Sequence, residues 1–393
     1  MAHAVDCTSD PVDPAGDATK LAAALQQATN TGKPLTLTGT YHINTDQKVY
    51  IKKDLTVIAT NAKFIATEKL DGDLFSLDAH RKFSNECNSD QISANVKWIG
   101  GAFDTSKARV SQVVPQAGKT PKGRTGTKNT GDALSIRGVI TPNRSEKTEP
   151  YRLKVKHVLI ENIAVNGTVN TVDNFYKAGG DSGVLIYGVA TATIKNNKFY
   201  GIRDAAVYLS AAGPRPEKGG TDGVYGRDFL ITGNYVERAY DAFTSKRGAD
   251  NVTMTNNTIV DVVVGLSIKQ VYAGWRADGV TITNNTIERS VRPISVEMAN
   301  DVTITNNIIT GLGGTVANIT VPINAKNNKQ YDGIGLYGIQ GASNISNNLI
   351  TGIAGKNTVG IISKAEHNRP TTGLTITSNI FTDLKTNKII SAE

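Results

Sequence analysis

The chain has 393 residues, 39% of them hydrophobic and 20% charged, which excludes a disordered tail. No stretch approaches the roughly 18 apolar residues of a membrane helix. Thirty-eight glycines against 12 prolines exclude collagen, and there is no Cys/His cluster for zinc, no P-loop and no dinucleotide fingerprint. Lys plus Arg is 43 and Asp plus Glu 35, a net charge of +8. That balance suits an anionic partner (nucleic acid, a membrane surface or an acidic polysaccharide) or an evenly solvated basic surface.

At the N-terminus, Met1-Ala2-His3 runs into a polar Asp/Pro/Thr segment without a visible leader. That fits a cytosolic or phage-borne protein, or a secreted one whose leader has been replaced by a new Met. Cys7 and Cys87 are the two cysteines, able to staple the N-terminus in an oxidising compartment or to stay reduced. DATKLAAALQQA (17–28) predicts an amphipathic helix with Asp17 as N-cap and Gly32 just past its end. Residues 1–34 therefore form an N-terminal segment with a capping helix, and residues 35–393 a single further domain. The first strands of that domain fall in LTLTGTYHI (35–43) and DLTVIAT (54–60), and the Lys/Gly/Thr-rich run 104–130 is a long loop.

From there one phrase recurs: NVTMTNNTI (251–259), GVTITNNTI (279–287), DVTITNNII (301–309), NISNNLI (344–350) and LTITSNIF (374–381), with fainter copies upstream. The equivalent asparagines are Asn162, Asn197, Asn234, Asn257, Asn285, Asn307, Asn348 and Asn379, and their closest spacings are 22 and 23 residues. Alternating apolar runs of about five residues are strands, and a short repeat of strands that stack on one another is a parallel β-helix. The recurring asparagines are structural, since stacked Asn side chains hydrogen-bond along a ladder.

Upstream of each asparagine phrase lies another strand: ALSIRG (133–138), GVLIYG (183–188), AVYLSA (206–211), AFTSKR (242–247), GLSIKQ (265–270), PISVEM (293–298), GIGLYG (333–338) and GIISKA (360–365). Alternation turns Leu134/Ile136, Val184/Ile186, Val207/Leu209, Leu266/Ile268, Ile294/Val296 and Ile334/Leu336 inward. One outward column then reads Arg137, Tyr187, Ser210, Lys246, Lys269, Glu297, Tyr337, Lys364, with Tyr208 diagonal to Lys246. Coils about 4.8 Å apart bring Lys246 and Lys269 together, with Arg247 beside them. That arrangement is destabilising unless an anion binds there or Glu297 pairs with Lys269. Before these strands, Asp181 and Asp204 share one register and Asp241 lies one position later, a register that Asp132 and Asp332 also fill. Such carboxylates are turn residues, Ca²⁺ ligands or an acid/base pair. The long insertions 138–155, 211–227, 271–278 and 311–331 bring Arg215, Trp275 and Arg276 to the rim.

Over about residues 35–385 this pattern resembles the pectin-lyase-like right-handed parallel β-helix superfamily. DAFTSK (241–246) followed by RGADNVTMTNN resembles the D-x-F-x-x-K stretch of family 9 pectate lyases. That resemblance implies Asp241 as a Ca²⁺ ligand and Lys246 as general base; Asp204 and Asp181 are the further candidate ligands that the alignment of coils supplies. AFTSKRGADN with GLSIKQ is similar to polysaccharide lyase family 6, the chondroitinase B and alginate lyase group, where a base Lys is followed by an acid Arg on the next coil. Lys269 stands where family 6 has that Arg, and Val263-Val264 where family 9 has further Ca²⁺ carboxylates. The implied reaction is β-elimination on a uronate polymer by a secreted or periplasmic lyase. Lys246 is then the base, Tyr208 the acid or an alternative base, and Lys269, Arg203 or Ca²⁺ the carboxylate clamp. The competing readings are an inverting hydrolase using Asp204 and Asp241, a C5-epimerase, and a non-catalytic binding or tailspike-like shaft. Nucleic acid has little support without a stacking array.

Overall fold

A computed structural model describes residues 6–70, 72–79, 87, 94–108, 131–140, 152–167, 181–210, 226–269, 276–314 and 330–391. The predicted N-terminal helix, α1, spans Ala18–Thr31. Its first turn is closed by the Asp17 carboxylate, which accepts from the Thr19 N–H at 3.0 Å. Its end is closed by Gly32 at φ 75°, a left-handed conformation that costs glycine nothing. Leu21, Leu25 and Ala28 are buried against the first coils, so the helix covers apolar surface that a stack of strands leaves open at its end.

Eleven parallel strands form the sheet that carries the candidate site. In chain order they are β1 (Gln47–Tyr50), β2 (Phe75–Asp78), β3 (Leu134–Arg137), β4 (Val184–Tyr187), β5 (Ala205–Ser210), β6 (Asp241–Lys246), β7 (Val264–Lys269), β8 (Arg292–Glu297), β9 (Tyr331–Tyr337), β10 (Thr358–Lys364) and β11 (Thr386–Ile390). The remaining parallel strands join a second, twenty-stranded sheet, to which a complete coil contributes two strands, as in Asp250–Thr255 and Thr258–Val260. All the predicted inward pairs, from Leu134/Ile136 to Ile334/Leu336, are buried. Near the N-terminal end Tyr41, Phe64, Phe75, Trp98 and Phe103 fill the interior, with Phe64 and Phe75 edge to face at 4.9 Å.

The paired asparagines divide two tasks. The first of each pair turns the chain: Asn196, Asn256, Asn284, Asn306 and Asn347 all lie at φ between 55° and 58°. The second enters a buried ladder. Asn257 Oδ1 accepts from both the backbone N–H and Nδ2 of Asn234 at 3.0 Å, while its own Nδ2 donates to Ile231 O and to Asn285 Oδ1. The ladder runs from Asn197 to Asn379. Asn162 is not a rung: it is the turn residue (φ 59°), Ile163 occupies the rung position, and its N–H donates to Asn197 Oδ1. Asn162 therefore shares the turn position of Asn196 and lies one residue before the rungs.

Cys7 and Cys87 form a disulfide across 80 residues, fastening the segment that precedes α1. The 104–130 run is described only to residue 108, and the segment read as following an outer strand at 311–331 instead joins Ile308–Leu312 to β9. Arg215 and Trp275 lie outside the described residues.

Candidate functional site

The outer face of β3 to β6 forms an open cleft of about 460 Å³. Its parallel registers place Arg137, Tyr187, Ser210 and Lys246 side by side at the ends of four strands, and Ser135, Leu185, Tyr208 and Thr244 two residues earlier. At the strand starts Asp132, Asp181 and Asp204 line the same cleft. The cleft therefore has an acidic end, a cationic end made by Arg137, Lys246 and Arg247, and a floor of tyrosines between them. Lys246 Nζ sits over the Tyr208 ring at 4.3 Å from its centre, and the Arg247 guanidinium over the Tyr187 ring at 5.4 Å. Arg247 reaches this position because its backbone is left-handed, at φ 67°, so the chain turns sharply straight after Lys246.

Two titrations are perturbed along the cleft. Burial pushes the Tyr208 phenol up, against the opposing pull of Arg247, so it stays a proton donor well above neutrality. Asp132 is enclosed, its Oδ1 accepting from the Ser182 N–H at 2.8 Å. Burial, then the neighbouring Asp73 and Asp181 charges, push its carboxyl well above the carboxylate range. Asp73 is itself pushed up to about 6 by burial and by Asp46. An acidic row thus continues beyond the cleft toward the N-terminal coils.

Lys246 and Lys269 are register partners, as expected. Their repulsion is relieved in an unforeseen way. Lys269 turns back along the face and binds Asp241 Oδ2 at 2.5 Å, with Asp241 4% and Lys269 24% exposed. The counter-ion is the Asp241 carboxylate of the preceding coil, not Glu297. Burial still raises the Asp241 carboxyl, opposed by Lys269. Tyr337 folds back likewise: its hydroxyl donates to Asp332 Oδ2 at 3.2 Å, and its ring leaves no room for a side chain at Gly335, where a Cβ would lie 2.8 Å from it. The outward Ser267 and Thr244 are buried and hydrogen-bonded to each other at 3.0 Å.

Of the residues singled out from sequence, Lys246, Tyr208, Arg247, Tyr187, Arg137, Asp181 and Asp204 meet in the cleft. Lys269, Asp241, Arg203, Glu297, Tyr337 and Arg276 do not line it; Arg203 is buried and Arg276 exposed beyond it. Asp132, Ser182 and Ser210 line the cleft and were not selected, although the alignment of coils already held Asp132 and Ser210 in the right columns. Among the described residues, no three His, Cys, Asp or Glu side chains converge as a metal would require, and Asp241 is taken by Lys269. The described carboxylates therefore do not make a Ca²⁺ cage.

These features define a single-domain parallel β-helix with an open, charged cleft on one face. The profile described as "right handed beta helix region" matches residues 162–391, and the chain belongs to that family. No curated protein sequence matches it. Among solved structures it is similar to PfbA, a surface adhesin of Streptococcus pneumoniae, at 14% identity over 97% of this chain and 91% of that one, with a TM-score of 0.51. It is also similar to a family 28 exopolygalacturonase of Yersinia enterocolitica, at 12% identity over 94% of this chain and 75% of that one, with a TM-score of 0.48. At these identities the likeness is one of fold. Among the described residues no helix is long and apolar enough to cross a membrane.

Proposed function

We propose that the protein is a polysaccharide lyase that cleaves a uronate-containing polymer by β-elimination in the β3–β6 cleft. The observation that carries this reading is the grouping of Lys246, Arg247 and Arg137 around Tyr208 and Tyr187. Sugar rings stack on the tyrosines, and Arg247 with Arg137 binds the uronate carboxylate, neutralising it so that the C5 proton becomes acidic. Lys246 Nζ takes that proton. The C5–H pair of electrons forms the C4–C5 double bond, the C4–O4 bond breaks, and the Tyr208 hydroxyl delivers a proton to the leaving oxygen. The raised phenol titration keeps Tyr208 protonated for this step. Lys269 acts through Asp241 as a positioning residue. The Cys7–Cys87 disulfide supports work in an oxidising compartment, outside the cytosol.

A second reading is hydrolysis, favoured by Asp132. Held protonated at the cleft edge, it would donate to the leaving oxygen while Asp204 or Asp181 activates water. The two separate by substitution. Elimination requires Lys246→Ala and Tyr208→Phe each to lose about a hundredfold or more in turnover and Asp132→Asn to retain it. The opposite pattern supports hydrolysis.

A further inference from the structure

The row of cations does not end at Arg247. The next residue, Gly248 (φ 70°), lies so close to the following coil that a Cβ there would come 2.7 Å from Arg276 O. Arg276, exposed, thus stands beside the cationic end of the cleft. Beyond it a turn after β10 reaches back across two coils. Glu366 and Arg369 close it with reciprocal backbone hydrogen bonds of 3.0 and 2.9 Å, and Thr371 Oγ1 pins it to Lys364 O at 3.1 Å. It passes over Gly338, where a Cβ would sit 3.4 Å from Arg369 O, and delivers the Arg369 side chain to Asn300.

Arg369 is 8% exposed, yet only its Nη2 is hydrogen-bonded, to Asn300 Oδ1; Nε and Nη1 have no partner. Asn300 in turn donates to Asp278, so the nearest carboxylate is held at one remove. Burial, then the charge of Arg276, pulls the Arg369 guanidinium below its ordinary range. Asn300, which holds Arg369, is the register partner of Asp278 on the neighbouring coil, two residues after Arg276. A buried guanidinium with two idle donors is costly unless an acceptor joins it.

We propose that Arg276 and Arg369 form a second oxyanion site, which extends the cationic end of the cleft toward the C-terminal coils and takes a carboxylate or sulfate. Its place beside Arg247 makes the natural occupant an acidic group of the same polymer, several sugars from the bond that breaks. That part rests on the acidic-polymer reading of the cleft; the oxyanion site itself does not.

The test measures binding, not turnover, on a Lys246→Ala background at fixed ionic strength. The probes are size-fractionated oligogalacturonates and oligoalginates, and separately sodium sulfate against sodium chloride. Arg276→Gln and Arg369→Gln are each expected to weaken long oligomers about tenfold while leaving disaccharides unchanged, as the loss of one charge-assisted hydrogen bond would. Sulfate is expected to raise the Tm of the parent more than that of either variant. If no oligomer binds but the sulfate shift still depends on both arginines, the site stands as one for a free oxyanion and the cleft reading falls. If neither arm responds to Arg276→Gln, whose exposed side chain can be changed without unfolding the chain, the proposal is overturned.

Discussion

Replacing Lys269 by Met tests whether this lysine is a structural counter-ion or a participant in catalysis. The substitution keeps an unbranched aliphatic stem but removes the ammonium from Asp241, a carboxylate only 4% exposed. Breaking a fully buried pair costs about 3–5 kcal/mol; because the Lys269 head is partly hydrated, a smaller loss of about 2–3 kcal/mol is expected here. The loss should depend on pH. Without Lys269, burial and the Asp204 charge act on Asp241 against Lys246 only, so its folded-state titration rises further above the unfolded value of about 3.9. A raised acid is at no disadvantage below that unfolded value and destabilises increasingly as pH climbs. Urea melts should therefore show a small deficit at pH 4–5 and the full deficit at pH 8. Adding Asp241→Asn should recover most of it, because no uncompensated charge is then buried. Unchanged stability at every pH, together with lost turnover, would refute this reasoning and return Lys269 to the chemistry.

Two further substitutions address the frame. Asn257→Ala removes four buried hydrogen bonds, at roughly 1 kcal/mol each, and orphans the Asn234 N–H, while Asn285 Oδ1 keeps the backbone N–H of residue 257; chemical denaturation should show a loss of about 3–4 kcal/mol. Asn379→Ala, at the half-exposed end of the ladder, should cost clearly less. Asp73→Asn keeps an acceptor for the Asp132 N–H while removing a group that titrates near 6 when folded. Since the native carboxyl is raised, its burden is absent below about pH 4 and complete above about pH 6. The variant should therefore be more stable than the parent at pH 7–8 by on the order of 2–3 kcal/mol, and indistinguishable at pH 4. Equal melts across that range would contradict it.

Much of the architecture was readable because a solenoid writes the same physical constraint many times. Inward pairs such as Val207/Leu209 and Leu266/Ile268 repeat with the coil, so their alternation also aligned the outward columns and set Lys246 against Lys269 before any coordinates. The Asn162 misplacement arose where the repeat is weakest: in ENI (161–163) the asparagine sits at the turn and an isoleucine stands at the rung. The side-chain directions were not legible. Nothing in the spacing says that Lys269 and Tyr337 lie back along their strands to reach Asp241 and Asp332, because that choice depends on which carboxylates the folded sheet leaves within reach. Asp132 was recognised in its register but not as a cleft residue. Its importance comes from complete enclosure beside other carboxylates, and burial of a polar group is a property of the folded surface.

Ultraviolet absorbance during incubation with alginates, pectate, glycosaminoglycans and bacterial exopolysaccharides tests the central claim most directly. The account predicts a rising signal from the new C4–C5 double bond on at least one uronate polymer, abolished by Lys246→Ala. Chain shortening without that signal would contradict elimination and pass the chemistry to Asp132 and Asp204.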